Sequence, residues 1–290
     1  MPELPEVEVL ARHLRPLLHQ RSIQSVEVRR PKVISPTSEP ELRRALEGSR
    51  FTALARRGKY LIFSLQHRRQ QVPFNLLGHL GMTGRIYLQD RHTPIPKHAA
   101  VVLGLNQHRL VFEDTRYFGR FTLDLTSLSR LGPEPLSPEF TTARLAAALR
   151  RSAQPVKVKL LDQTLVAGIG NIYASEALFH ARLLPQLPGR TLTLPQIRRL
   201  RTAIRRVLAA AIRWGSTVPL DWAGTGPRDG LFYYGRPPNS PDAHEQRLHV
   251  YDRSGQPCPR CQTAIHQITQ AGRSTYFCPH CQSPPPIHRT

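Results

Sequence analysis

The sequence predicts an α+β protein: an N-terminal antiparallel β-sandwich with flanking helices, then a helical half, then a zinc-held β-hairpin. Three observations carry this expectation. Between residues 25 and 125, short runs of branched and aromatic residues alternate with Gly, Pro and Asn/Gln turns, the pattern of an antiparallel sandwich or barrel. After a Pro- and Gly-rich stretch at 131–138, apolar residues recur at helical spacings of three and four. All four cysteines lie near the C-terminus as two Cys-x-x-Cys pairs, Cys258/Cys261 and Cys278/Cys281, with sixteen residues between the pairs.

The elements follow in order. Residues 6–18 predict an amphipathic helix that can start near Pro5, since proline at a first helical turn forfeits no hydrogen bond. Strands are expected over 25–29, 60–65, 72–77, 99–105, 109–112 and 120–125, with a second helix over 39–47. The 131–138 stretch marks a domain boundary. Beyond it, Thr141 or Thr142 caps a helix over 143–151. A helix over 195–214 carries Ile197, Leu200, Ile204, Val207 and Ala211 on one face and arginines elsewhere. Residues 216–245 are rich in Gly and Pro and read as a long functional loop. Between the cysteine pairs, 263–268 and 274–277 flank Gln270–Arg273 as a β-hairpin that presents Arg273 outward.

Charge narrows the function. Lys+Arg 41 against Asp+Glu 20 leaves a net charge of +21 spread along the chain, which favours a polyanion partner, nucleic acid before anionic membrane. No apolar run approaches the ~20 residues of a membrane span, so a soluble intracellular protein is expected. Four thiolates at this spacing fit a tetrahedral site with no open position, hence one structural zinc and not a catalytic one. Zinc ligation also lets a segment with little core fold.

The first residues, Met1-Pro2-Glu3-Leu4-Pro5-Glu6-Val7-Glu8, carry chemistry. Proline is small enough for Met1 to be trimmed, which leaves Pro2 as a secondary amine. An N-terminal amine titrates near 7.7–8.0, far below lysine, so more of it is neutral and nucleophilic at pH 7. Its attack on a carbonyl-like carbon gives an iminium. Glu3, Glu6 and Glu8 offer acid/base partners. Alone, the same residues read first as an acidic helix start with two prolines. A second segment, Gly168-Ile169-Gly170-Asn171, is a glycine turn entering a helix, a geometry suited to phosphate.

The ordered set of Pro2-Glu3-Leu4-Pro5-Glu6-Val7-Glu8, His79-Leu80-Gly81-Met82-Thr83-Gly84, Leu161-Asp162-Gln163, Gly168-Ile169-Gly170-Asn171-Ile172-Tyr173-Ala174-Ser175-Glu176 and the four-cysteine finger resembles the bacterial formamidopyrimidine-DNA glycosylase (Fpg/MutM) family over nearly the whole chain. The resemblance implies a catalytic sandwich over 1–133, a helix-two-turn-helix domain with a lesion-covering loop over 134–245, and the finger over 246–290. It implies a base-excision repair enzyme that removes oxidised purines from double-stranded DNA and then cleaves the strand. Pro2 would be the nucleophile, Glu3 the proton donor and acceptor, and Glu6 its support. Lys59 and Arg273 would contact phosphate and assist elimination. His98, Arg151, Lys157 and Asn171 would touch DNA, and Met82, Arg116 and Phe118 would fill the gap left by the extruded nucleotide. The same likeness implies a monomer, cytoplasmic and associated with the nucleoid. Thr115, Tyr117, Ala100 and Asp252 depart from the family pattern, and 216–245 departs most. The rivals are the endonuclease VIII branch, specific for oxidised pyrimidines, and a non-catalytic zinc-stabilised DNA-binding protein.

Overall fold

A computed structural model describes residues 2–68, 72–215, 220–221, 231–232 and 248–283. The chain divides into two compact units at Arg130/Leu131, with β9 and β10 (below) belonging to the first. Met1 and most of the 216–245 loop lie outside the described residues.

In the first unit, helix α1 (Leu4–Leu18) precedes β1 (Ser25–Val28), α2 (Glu39–Leu46), β2 (Ser49–Arg57), β3 (Tyr60–His67), β4 (Pro73–His79), β5 (Arg85–Asp90), β6 (Ala99–Leu105), β7 (His108–Glu113), β8 (Arg120–Thr122) and the single turn α3 (Thr126–Ser129). Two antiparallel four-stranded sheets result, ordered β1-β6-β7-β5 and β2-β3-β4-β8. Their inner faces share one core. Val101, Leu103 and Phe112 of one sheet cluster with Phe51, Phe63, Leu65 and Phe121 of the other. Phe121 is the hinge between them, with ring centroids 5.8 Å from Phe63 and 5.6 Å from Phe112. Helix α1 adds Val7, Leu10, Ala11, Leu14 and Leu18, all buried, because spacings of three and four put them on one face. The short strands β9 (Leu220–Asp221) and β10 (Leu231–Phe232) pair with each other.

The second unit holds α4 (Thr142–Arg150), α5 (Val156–Leu160), α6 (Asn171–Ala181), α7 (Leu194–Arg213) and the hairpin β11 (His266–Gln270)/β12 (Arg273–Phe277). Thr141 and Thr193 cap α4 and α7 through their hydroxyls. Two arginines of α7 are tied down: Arg201 donates to the Phe140 carbonyl at 2.5 Å, and Arg205 to the Pro135 and Ser137 carbonyls at 2.9 Å. On α6, buried Glu176 accepts the backbone N–H groups of His249, Val250 and Tyr251 at 2.9–3.0 Å, which anchors the segment leading to the finger. Burial alone would raise its pKa, but the bond to the His249 side chain and then these backbone bonds outweigh that and hold it below the usual carboxylate range.

The hairpin turn is tighter than expected. Only Ala271 and Gly272 connect the strands, both at positive φ (47° and 71°), as a two-residue turn requires. Arg273 therefore begins β12, exposed beside that turn.

Candidate functional site

In the first unit the chemistry gathers at the start of α1. Glu3 and Glu6 are each 1 % exposed, and Pro2 is buried. The Glu3 backbone N–H donates to Glu6 Oε2 at 2.8 Å, so the second carboxylate fixes the first residue of the turn. Position N3 of the helix thus supports the residue beside Pro2.

The β2–β3 turn that carries Lys59 is held to the same helix. Arg56 donates to Glu8 Oε2 at 2.8 Å and to the Gly58 carbonyl at 3.0 Å. Burial raises the Glu8 pKa, yet the bonds from Arg56 and Arg12 leave it lowered, so Glu8 stays an anion and the clamp stays closed. Lys59 itself is 8 % exposed. Next to it, Tyr60 pairs across the sheet with His79, their rings 4.7 Å apart. Burial, then the charges of Lys59 and Arg120, push the His79 pKa down to about 4. The ring is therefore neutral at pH 7. Its Nδ1 accepts the Gly81 N–H at 3.1 Å, which leaves the proton on Nε2.

Two neighbouring loops present the expected gap-filling group. Met82 (44 % exposed) and Phe118 (48 % exposed) are two of the six large apolar side chains exposed among the described residues. Arg116 joins them: its Nη1 lies 3.3 Å from Met82 Sδ and its guanidinium 4.8 Å from the Phe118 ring centroid. Tyr117, at a position commonly basic in the family, takes φ 54° and turns towards Arg30 and His98. His98 is half-buried, with Nδ1 3.5 Å from the Tyr117 hydroxyl.

The second unit holds a different group. Lys157, expected to contact DNA, is 0 % exposed. Its ammonium donates to Asn171 Oδ1 at 2.5 Å, Thr275 Oγ1 at 2.6 Å and the Ser274 carbonyl at 2.9 Å. Three donors meet three acceptors within the protein. Lys157 thereby pins the start of α6 to the finger hairpin. Asn171, half-buried, shares that duty through Nδ2 to the Ser274 carbonyl at 2.9 Å. The Gly168–Gly170 turn is braced by Gln163, which accepts from Gly168 N–H and donates to the Ile169 carbonyl, both at 2.8 Å. Arg151, the C-cap of α4, and Arg273 are exposed.

Replacing Lys157 by Met is expected to leave three buried acceptors short of a donor and to cost about 2–4 kcal/mol. Thermal unfolding of the second unit checks this. A loss of salt-dependent DNA affinity with unchanged stability would assign Lys157 to phosphate contact instead.

The four cysteines converge. Their sulfurs lie within 4.8 Å of one another, with Cys258–Cys281 at 3.9 Å and Cys261–Cys278 at 3.5 Å, and none forms a disulfide. A tetrahedral zinc with arms of about 2.3 Å needs sulfurs roughly 3.8 Å apart. The donor set fits, and it holds a structural zinc.

Three family profiles match in order: the formamidopyrimidine-DNA glycosylase N-terminal domain over residues 1–121, its H2TH domain over 131–220, and the zinc finger found in FPG and IleRS over 255–284. The formamidopyrimidine-DNA glycosylase of Chloroflexus aurantiacus is 43% identical over 97% of this chain and 98% of its own. The chain belongs to the formamidopyrimidine-DNA glycosylase family. It is a DNA glycosylase of base-excision repair and binds DNA. The fold agrees: Lactococcus lactis Fpg in complex with a DNA containing an N7-benzyl-Fapy-dG matches with a TM-score of 0.85 at 33% identity, over 98% of this chain and 100% of that one. The same enzyme with an oxidised-pyrimidine DNA matches with a TM-score of 0.84 at 32% identity, over 98% and 100%. Among the described residues, no helix is long and apolar enough to cross a membrane.

Family motifs singled out most of these residues, but two were passed over. His79 opens the 79–84 motif and Asp114 stands two residues before Arg116, and each turns out to organise the loop that follows it. A histidine or aspartate directly before a glycine-containing loop was the available signal.

Proposed function

We propose that the chain excises oxidised purines, 8-oxoguanine and formamidopyrimidines, from damaged double-stranded DNA by a Schiff base on Pro2, followed by β- and δ-elimination. The observation that carries this reading is the buried Glu3–Glu6 pair at the start of α1, directly after Pro2. The free Pro2 nitrogen attacks C1′ of the extruded nucleotide, and the C1′–N bond to the base breaks. The nitrogen sheds its proton, and the C1′–O4′ bond opens as the nitrogen lone pair forms the C1′=N bond. Glu3 supplies the proton to the departing base or to the ring oxygen. The resulting iminium acidifies the C2′ hydrogen, so the 3′-phosphate leaves, and a second elimination releases the 5′-phosphate. Lys59 and Arg273 neutralise the phosphates and assist the eliminations. No step needs an open metal position, in keeping with a zinc closed by four thiolates.

Extrusion is required because C1′ is out of reach inside a stacked duplex. Met82, Arg116 and Phe118 fill the space left behind, an apolar wedge with one cation. His98, Arg151 and Asn171 position the strand and carry no lesion identity. The enzyme acts as a monomer, in the cytoplasm, on the nucleoid.

A second reading, preference for oxidised pyrimidines, is favoured by one observation: a structural relative was solved with an oxidised-pyrimidine DNA. Paired single-turnover assays decide between them. On 8-oxoguanine opposite cytosine, excision is expected at least about tenfold faster than on thymine glycol opposite adenine, the scale of ~1.4 kcal/mol or more between transition states. The reverse order would assign the chain to the pyrimidine side.

A further inference from the structure

We propose that Asp114 is a positioning residue that locks the two loops bearing Met82, Arg116 and Phe118 into one rigid wedge. The proposal rests on the reading of those three side chains as the group that enters the duplex, and it adds a residue to which that reading gives no task.

Asp114 is 0 % exposed although it stands at the root of an exposed loop. Its Oδ1 accepts from the Thr83 hydroxyl at 2.6 Å and from the Arg116 N–H at 3.1 Å, and its Oδ2 accepts from the Gly119 N–H at 2.8 Å. Its own backbone N–H donates to the His98 carbonyl at 3.1 Å. One carboxylate therefore reaches the residue next to Met82 and brackets the segment from Arg116 to Gly119. Charge-assisted bonds of this kind are short and roughly twice as strong as neutral ones. A buried carboxylate is expensive unless its acceptors are filled, and here its three donors come from the two wedge loops.

The backbones are also in direct contact. Gly81 sits at φ +60°, and a Cβ added there would lie 2.7 Å from the Gly119 nitrogen and 2.8 Å from the Phe118 carbonyl carbon. No side chain fits between the loops, so the carboxylate bridge and the glycine contact hold them at one separation. Above this fixed base the tips stay outward. Met82 and Phe118 are each about half exposed, with Arg116 against both. Water-exposed apolar tips on loose loops would fold back onto the protein. A preset geometry spares the ordering cost when they enter the stack.

The native enzyme is compared with Asp114→Asn, Thr83→Val and Thr83→Ser by three readouts. The first is borohydride trapping at an abasic site in single-stranded DNA, which needs neither extrusion nor gap filling. The second is single-turnover excision of 8-oxoguanine from a duplex. The third is the stopped-flow rise of 2-aminopurine fluorescence beside the lesion, which reports unstacking. In Asp114→Asn and Thr83→Val, excision and the fluorescence rise are expected to slow by about 10- to 100-fold while trapping stays within about twofold. Thr83→Ser, which keeps the hydroxyl, is expected to behave as native. Native-like fluorescence and excision in both Asp114→Asn and Thr83→Val would overturn the proposal. So would a loss of trapping in step with excision, which marks general damage to the fold. Native enzyme that neither traps on the abasic strand nor excises from the duplex would instead overturn the glycosylase reading beneath it.

Discussion

A chain that keeps Met1, made by inserting a glutamate between Met1 and Pro2, is expected to form no borohydride-stable adduct with damaged DNA and to lose excision by about 10³-fold or more. The reason is electronic. Joined to Met1, the Pro2 nitrogen belongs to a peptide bond, and its lone pair is delocalised into the carbonyl. Freed, it is an amine that titrates near neutrality and attacks carbon. The insertion leaves the buried core of α1 and the Glu3–Glu6 bond in place, so duplex affinity is expected to stay within a few-fold of native, as phosphate contacts set it. Gel-shift titration beside the trapping assay separates the two effects. An adduct formed by the blocked chain would remove Pro2 from the mechanism.

Removing zinc is expected to weaken duplex binding by at least about 10²-fold while the N-terminal sandwich remains folded. The finger has a small core of its own: Val250, Ile265 and Tyr276 cluster with Cys258, Cys278 and Phe179. Structural zinc contributes on the order of 10–16 kcal/mol to such modules, more than that cluster can replace. Losing it would release the hairpin that carries Arg273, and with it the Ser274 and Thr275 acceptors of buried Lys157. The sandwich draws on a separate core spanning both its sheets and α1. Chelation followed by thermal unfolding and fluorescence anisotropy tests both halves of the statement. Native affinity after complete zinc removal would free the finger from any part in binding.

The legible parts of the sequence were those with local signatures. The apolar stripe of α1, the threonine cap before α7 and the paired Cys-x-x-Cys motifs each follow from residues close together in the chain. Strand β2 was missed for a definite reason. A β-bulge between Phe51 and Ala53 shifts the register, so the buried Phe51 and Leu54 are three residues apart and the period of two is broken. Strand β5 was missed because consecutive Ile86 and Tyr87 are both buried, on opposite faces of the sheet, which leaves no alternation to read.

Pro2, Glu3, Glu6, Lys59 and the cysteines are candidates that motif and composition alone nominate, and the structure brings the four cysteines together. Lys157 could not be judged in that way. Two of the three acceptors of its ammonium lie 117 and 118 residues further along the chain, and only the fold brings them to it. Asp114 was hidden for the same reason, since Thr83 is 31 residues away.

The central claim is that an N-terminal secondary amine forms the covalent link to the sugar. Peptide mapping by mass spectrometry of the borohydride-trapped complex tests it most directly. The mass of the reduced sugar remnant is expected on an N-terminal peptide that begins at Pro2 and lacks Met1. The same mass on Lys59, or on a peptide that still carries Met1, would contradict it.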